Sequence, residues 1–236
     1  MSDRATILAA IRRSLTQSRS TLEHLASSAS HIPPPFVHPP ESDLVNQFVT
    51  ELERLEGNVY RRIDNEAARE TLQEILTKEG AETFIAWDEA DIGVPDLNRM
   101  IESIGVRRVD ADAAGGADPR QAAVQALAAA PVGITGADAA IAESGTLVLA
   151  GGKGRGRLAS LLAPIHIAIV RETQIVRGLG EALERLKSLY GDRILTDRSN
   201  LTFITGPSRT ADIELTLTLG VHGPREVHVI IVERGS

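Results

Sequence analysis

The 236 residues are 42% hydrophobic and 24% charged, with a formal net charge of −7 and no cysteine. This composition fits one large globular domain, or one domain with an appendage, and weighs against nucleic acid or an anionic membrane as partner, since both call for clustered Lys and Arg. Without cysteine the chain forms no disulfide, builds no thiolate zinc site and supplies no thiolates to an iron–sulfur cluster.

At the N-terminus, MSDRATILAAIRRSL lacks the long apolar core of a signal peptide, and no apolar run reaches the roughly 20 residues of a membrane-spanning helix; a cytoplasmic protein is expected. Ile7, Leu8, Ile11 and Leu15 follow helical spacing behind Ser2 or Asp3, predicting an amphipathic helix in need of a surface to pack on. Residues 17–40, with SSAS and then HIPPPFVHPP, read as an arm packed on its own domain and anchored at Phe36 and Val37. The domain proper spans 41–236. There SDLVNQFVTELERLEG predicts a helix closed by Gly57, NVYRR a short strand, NEAARETLQEILTKEG a helix capped by Asn65 and ended by Gly80, and TFIAW a buried strand. PDLNRMIESIG, VRRV and DPRQAAVQALAAA continue the rhythm, the last with Asp118 as cap and Pro119 at the first helical position. Such alternation predicts an α/β sheet with helices on its faces.

In the second half PVGITG, TLVLA, IHIAIV, LTFITG and VHVIIV are apolar strands, several of which are expected to adjoin, with GLGEALERLKSLYG as the one convincing helix among them. ITGADAAIAESGTL at 134–147 and ITGPSRTADIELTLTL at 204–219 leave their strands alike, so Gly136 and Gly206 are expected to line one crevice. In TGPSRTADIE, Gly206 and Pro207 force a turn, and Ser208, Arg209 and Thr210 offer hydroxyls and a guanidinium suited to a carboxylate or phosphate. As an ordinary turn, the same stretch would use one hydroxyl as a cap and pair Arg209 with Asp212 or Glu214. Strict alternation in ADIELTLTLG favours a strand, more firmly at its end than its start. His222, between two glycines and before Pro224, presents an imidazole in an exposed turn. Glu143 stands before Ser144-Gly145 at a strand entrance, either as a reactive carboxylate or as a turn residue. GGKGRGR at 151–157 reads as a solvated hairpin tip, or as a loop closing over an anion. It matches neither the phosphate-loop nor the dinucleotide-loop order. His166 reads as a hydrogen-bonded strand residue. No pair of His and acidic residues has metal-binding spacing.

GITGADAAIAESGTLVL, RGRLASLLAPIHIAIV and ITGPSRTADIELTLTLGVHGPREVHVIIV, in that order, resemble the LUD domain of the lactate-utilisation protein C family from about Pro131 to Val232; Ser144 stands where Thr is more usual. The resemblance implies a three-layer α/β/α sandwich with a largely parallel or mixed sheet, similar to ribose-5-phosphate isomerase, glucosamine-6-phosphate deaminase and CoA transferases. It also implies a part in oxidising L-lactate to pyruvate beside two iron–sulfur proteins, which would hold the clusters while this chain holds no cofactor. In this reading Gly136, Gly206, Ser208, Arg209 and Thr210 bind a small carboxylate or phosphorylated ligand, and Glu143, Asp212 and His222 handle protons. Two alternatives stand beside it. Glu143-Ser144-Gly145 is similar to the motif around the nucleophilic glutamate of CoA transferases, and the opening helix and proline arm would suit a non-catalytic assembly subunit.

Overall fold

Six strands carry the domain's core as a parallel sheet ordered β1-β12-β7-β4-β2-β3: β1 (Asn58–Arg62), β2 (Thr83–Ala86), β3 (Arg107–Arg108), β4 (Val132–Thr135), β7 (Ile165–Arg171) and β12 (Glu226–Val232). β4, β7 and all of β12 beyond Glu226 up to Val232 bury nearly every residue, as continuous apolar runs in parallel sheets do. The computed structural model describes residues 3–28, 43–109, 119–191, 198–211 and 217–233. It divides into two compact units, residues 1–34 and 35–236. In the first, α1 runs from Asp3 to Ser28, with Ile7, Leu8, Ile11 and Leu15 exposed. Helix therefore continues through the start of the expected arm; the proline-rich stretch and Phe36 and Val37 lie outside the described residues.

Helices cover both faces of the sheet. α3 (Asn65–Lys78) buries Leu72, Ile75 and Leu76 and lies against β1 and β12, while α5 (Leu97–Ser103) flanks β3. On the other face, marked by Gly133, Ile85 and His166 in register, α7 (Leu158–Leu161) comes so close that a Cβ on Gly133 would stand 1.8 Å from the Ala159 carbonyl oxygen. α2 (Leu44–Arg54) starts at Asp43, whose carboxylate accepts from the Asn46 N–H at 3.0 Å. Short α4 (Glu89–Ile92) follows β2, and α6 (Pro119–Ala128) precedes β4.

Two caps differ from the expectation. Asp64, not Asn65, caps α3, accepting from the Ala67 N–H at 3.0 Å; the extended backbone at Asp64 aims its carboxylate at the free amides, while Asn65 is already helical and buried. After α2 the left-handed residue is Glu56 (φ 64°), and Gly57 is needed for room instead, since a Cβ there would meet Leu52 at 2.6 Å. Gly80, with φ 59°, ends α3 as expected.

The strands of the second half do not all join one sheet. TLVLA and LTFITG pair as β6 (Thr146–Gly151) and β9 (Asn200–Ile204) in a separate four-stranded sheet, β8-β5-β6-β9, completed by β5 (Ala139–Ile141) and β8 (Ile175–Val176). Its Leu147, Leu149 and Ile204 join the main core, while Ala139, Ile141, Val148 and Ala150 pack on Ala182 and Leu186 of α8 (Leu179–Tyr190). β5 and β6 are thus buried on both faces, while Phe203 on the edge strand β9 is exposed. The alternating run after Arg209 is not one strand either: β10 (Arg209–Ala211) and β11 (Leu217–Leu219) pair antiparallel.

His166 is wholly buried, its Nε2 2.8 Å from Thr135 Oγ1, and burial, with a smaller push from His228, holds its pKa down at about 3. Neutral in the folded state and free to ionise in the unfolded chain, it stabilises the fold fully above its ordinary pKa of 6.5 and loses that contribution as pH falls towards about 3. Urea denaturation midpoints should fall across that window and fall less steeply in His166→Gln. Gly133→Ala should cost about 1–3 kcal/mol by the same measurement, because the added methyl meets backbone.

Candidate functional site

The expected site residues fall into two groups. Glu143 lies in a one-turn 3-10 segment, Ala142–Ser144, between β5 and β6. Gly145 closes it with φ 59° against α2, where a Cβ would stand 2.6 Å from the Leu52 nitrogen. Only glycine meets both demands. The Glu143 carboxylate faces Gly178 at the start of α8, with Oε1 2.7 Å from where a Cβ would be, and its N–H donates to the Arg177 carbonyl at 3.1 Å. Glu143 therefore stands at the N-terminal end of α8.

Hydroxyls tie this turn to the exit of β9: Ser144 Oγ and Thr205 Oγ1 each lie 2.8 Å from Thr146 Oγ1. Gly206, with φ 77°, comes next, where a Cβ would stand 3.0 Å from the Leu55 Cβ. Beyond it the Ser208 N–H donates to the Pro224 carbonyl at 2.8 Å, and the Gly220 N–H donates to the Ser208 carbonyl at 2.9 Å. These two bonds join the Ser208 turn to the turn bearing His222. The His222 side chain is exposed and lines an open depression of about 490 Å³ together with Leu161, Pro164 and Arg225.

Among the described residues Arg209 is engaged with the end of α2. Its Nη2 donates to the Leu55 carbonyl at 2.5 Å and lies 3.1 Å from the Glu56 carboxylate. It thereby satisfies a carbonyl left over at the end of α2 and holds Glu56, a non-glycine residue in a conformation costing about 1–2 kcal/mol. Its Nε and Nη1 have no partner among the described residues. Thr210 lies in β10 opposite Thr218, and Asp212 and Glu214 lie outside the described residues.

Gly136 belongs to the second group. It packs on α4, with a Cβ 2.5 Å from the Asp91 carbonyl, whereas Gly206 packs on Leu55, so the two similar strand exits abut different helices. Around Gly136 lies a charged cluster that sequence reading missed. Arg155, from the glycine loop, reaches Asp138 Oδ1 at 2.7 Å through Nη1 and Asp91 Oδ1 at 2.8 Å through Nε, with its guanidinium carbon 5.1 Å from the Trp87 ring centre. Asp138 also accepts from the Ala150 N–H at 2.6 Å and from the Tyr190 hydroxyl, and Arg155 donates to that hydroxyl at 2.7 Å. The loop is therefore solvated at Lys153 and Arg157 but not at Arg155, whose side chain is only 15% exposed, while that of Asp138 is 3% exposed. Burial opposes the Arg155 charge, yet the bonds to Asp138 and Asp91 outweigh it and raise its pKa. Burial, then the hydrogen bond to Asp138 and its charge, push Tyr190 up to about 12. The one available signal was an aspartate between alanines in an apolar stretch. Among the described residues no group of three or more His, Asp or Glu is placed to hold a metal ion.

The LUD domain family model matches residues 45–232, reaching well before the motifs that first carried the resemblance. The chain belongs to the LUD domain family. It is 35% identical over 170 residues to Lactate utilization protein C of Geobacillus sp. (strain WCH70), covering 70% of this chain and 68% of that one. It is 39% identical over 171 residues to Lactate utilization protein C of Macrococcus caseolyticus (strain JCSC5402), covering 70% and 67%. A crystal structure of a DUF162 family protein from Deinococcus radiodurans shares the fold, with a TM-score of 0.57 and 22% identity over 82% of this chain and 99% of that one. Among the described residues of this LUD domain protein, no helix is long and apolar enough to cross a membrane.

Removing one partner of a buried ion pair leaves the other charge stranded, so Arg155→Met should destabilise this domain by about 3–5 kcal/mol in chemical denaturation. In Asp138→Asn, the Tyr190 phenol, freed of a neighbouring anion, should ionise at lower pH in an ultraviolet titration.

Proposed function

We propose that this chain is a subunit of a lactate-utilisation system that oxidises L-lactate to pyruvate and hands the electrons to iron–sulfur proteins. The observation that carries the reading is its 33–39% identity to curated proteins named Lactate utilization protein C over 70–74% of its length. Turning the lactate alcohol into a ketone releases two electrons and two protons. A chain without cysteine offers no thiolate for a cluster, so in this reading the electrons pass to a partner. The exposed apolar side chains Ile7, Leu8, Ile11 and Leu15 of α1 suit docking to such partners.

In the proposed site the substrate carboxylate binds at the turn of Ser208, Arg209 and Thr210. Arg209 favours this, since one terminal nitrogen anchors the guanidinium to Leu55 and Glu56 while Nε and Nη1, without partners among the described residues, offer donors to an anion. His222, exposed in the adjoining turn, or Glu143 takes the proton of the hydroxyl. Asp212 belongs to the same proposed proton-handling set, and Gly206 lets the backbone turn there.

Arg209→Lys keeps a charge able to reach Leu55 and Glu56 but loses the planar fork. It should therefore fold and bind L-lactate or pyruvate at least about tenfold more weakly by calorimetry, a loss of about 1.4 kcal/mol. Equal affinity would remove Arg209 from the site. In the source cells, deleting the gene should abolish growth on L-lactate and leave growth on glucose intact; undiminished growth on lactate would end the proposal.

A further inference from the structure

A second cavity, of about 750 Å³, opens where β2 and β3 end, and shares no lining residue with the depression at His222. Beside it the chain leaves β2 towards β3 on one side and leaves neighbouring β4 towards β7 on the other. Open α/β sheets take ligands at such a reversal, outside the carboxyl ends of the strands. The volume falls within the range of small-molecule and cofactor sites.

Three features of its wall describe an occupant. First, Ile85, Val109, Leu127 and Leu158 give an apolar lining, suited to a flat ring. Second, the wall carries one cation with donors to spare, Arg108, beside the carboxylates of Asp88 and Glu102. Arg108 is fixed through Nη2, which donates to the Ala86 carbonyl at 3.0 Å, the Trp87 carbonyl at 3.3 Å and Asp88 at 3.3 Å. Its Nε and Nη1 have no partner among the described residues. Lys153 and Arg157, on the glycine loop that edges the cavity, are exposed and make no ion pair among the described residues. Third, Gly156 lines the cavity although nothing in the fold calls for glycine there. Its φ lies outside the left-handed range, and an added Cβ would find no atom of the described residues within 4 Å. The loop is nonetheless held in place, since the Trp87 indole N–H donates to the Gly156 carbonyl at 3.2 Å. A residue kept bare beside open space, on an anchored and cationic loop, is what close approach of an anionic ligand requires. Glu102, also on the wall, offers an acceptor to an amino group on the ring.

The geometry points to a nucleoside phosphate as ligand, with an amino-bearing base on the apolar wall and its phosphate at Lys153, Arg157 and Arg108. Neither a bare sugar phosphate nor inorganic phosphate would use the apolar wall, and a nucleoside alone would leave the cations unspent. This site is separate from the proposed lactate site, and its test does not depend on lactate.

The full chain is titrated by calorimetry with AMP, GMP and CMP, and with adenosine and inorganic phosphate as part probes. At least one nucleotide should bind ten times more tightly than either part probe. Gly156→Val fills only open space, so it should keep the wild-type melting temperature and weaken nucleotide binding at least tenfold. The surface pair Lys153→Gln with Arg157→Gln should do likewise, which keeps the test decisive if the valine variant folds poorly. Saturation by none of the nucleotides, phosphate binding as tight as the nucleotide, or undiminished binding in the folded variants would overturn the assignment.

Discussion

The bond between Arg155 and Asp138 is the constraint on which the domain's plan depends. Asp138 sits where the chain leaves the parallel sheet and enters the second one; Arg155 sits just past β6 of that second sheet. Through Asp91 the same guanidinium reaches the helix after β2, and through Tyr190 the cluster reaches the end of α8. One buried cation thus joins both sheets and two helices. Such a cluster favours the fold only because each charge has several partners, since a lone ion in this setting would cost more than its contacts return. Its rigidity also explains how a loop of four glycines can hold a fixed shape: Arg155 pins the middle, and Asp88 donates its N–H to the Gly154 carbonyl at 2.7 Å.

A second constraint is steric and lies at α2. Leu52 sits on Gly145, Leu55 sits on Gly206, and Arg209 binds the last turn. The turn bearing Glu143 and the turn bearing Ser208 are thereby held against the same helix end, and the Ser208 turn is in turn bonded to that of His222. Residues far apart in the chain share a neighbourhood because small residues let backbones approach. The chemistry proposed for lactate borrows that arrangement, with Arg209 serving the fold through one nitrogen and the ligand through the others.

The parallel strands were legible because burial on both faces leaves unbroken apolar runs such as IHIAIV and VHVIIV. Helices with a strong apolar stripe, α2, α3 and α8, were legible for the matching reason. The second sheet was not, since β5 and β8 have 3 and 2 residues, too short for any period to register, and β6 reads the same in either sheet. Continuation of α1 past residue 16 was hidden by serines and threonines that suggest a loop. Arg155 misled most: its glycine neighbours signal exposure, while its partners Asp91 and Asp138 are paired by the fold rather than by spacing. Arg209 was singled out as a ligand-binding residue, but its contact with Leu55 lies 154 positions away and left no local trace.

The central claim is that this chain works within an electron-transferring lactate system, and one measurement addresses it directly. The chain is drawn anaerobically from its source cells grown on lactate, and the visible spectrum of the captured material is recorded before and after adding L-lactate. Co-captured iron–sulfur proteins whose absorbance bleaches on L-lactate, with pyruvate formed in step, are the predicted result. A colourless chain that comes down alone, or clusters indifferent to L-lactate, would contradict it.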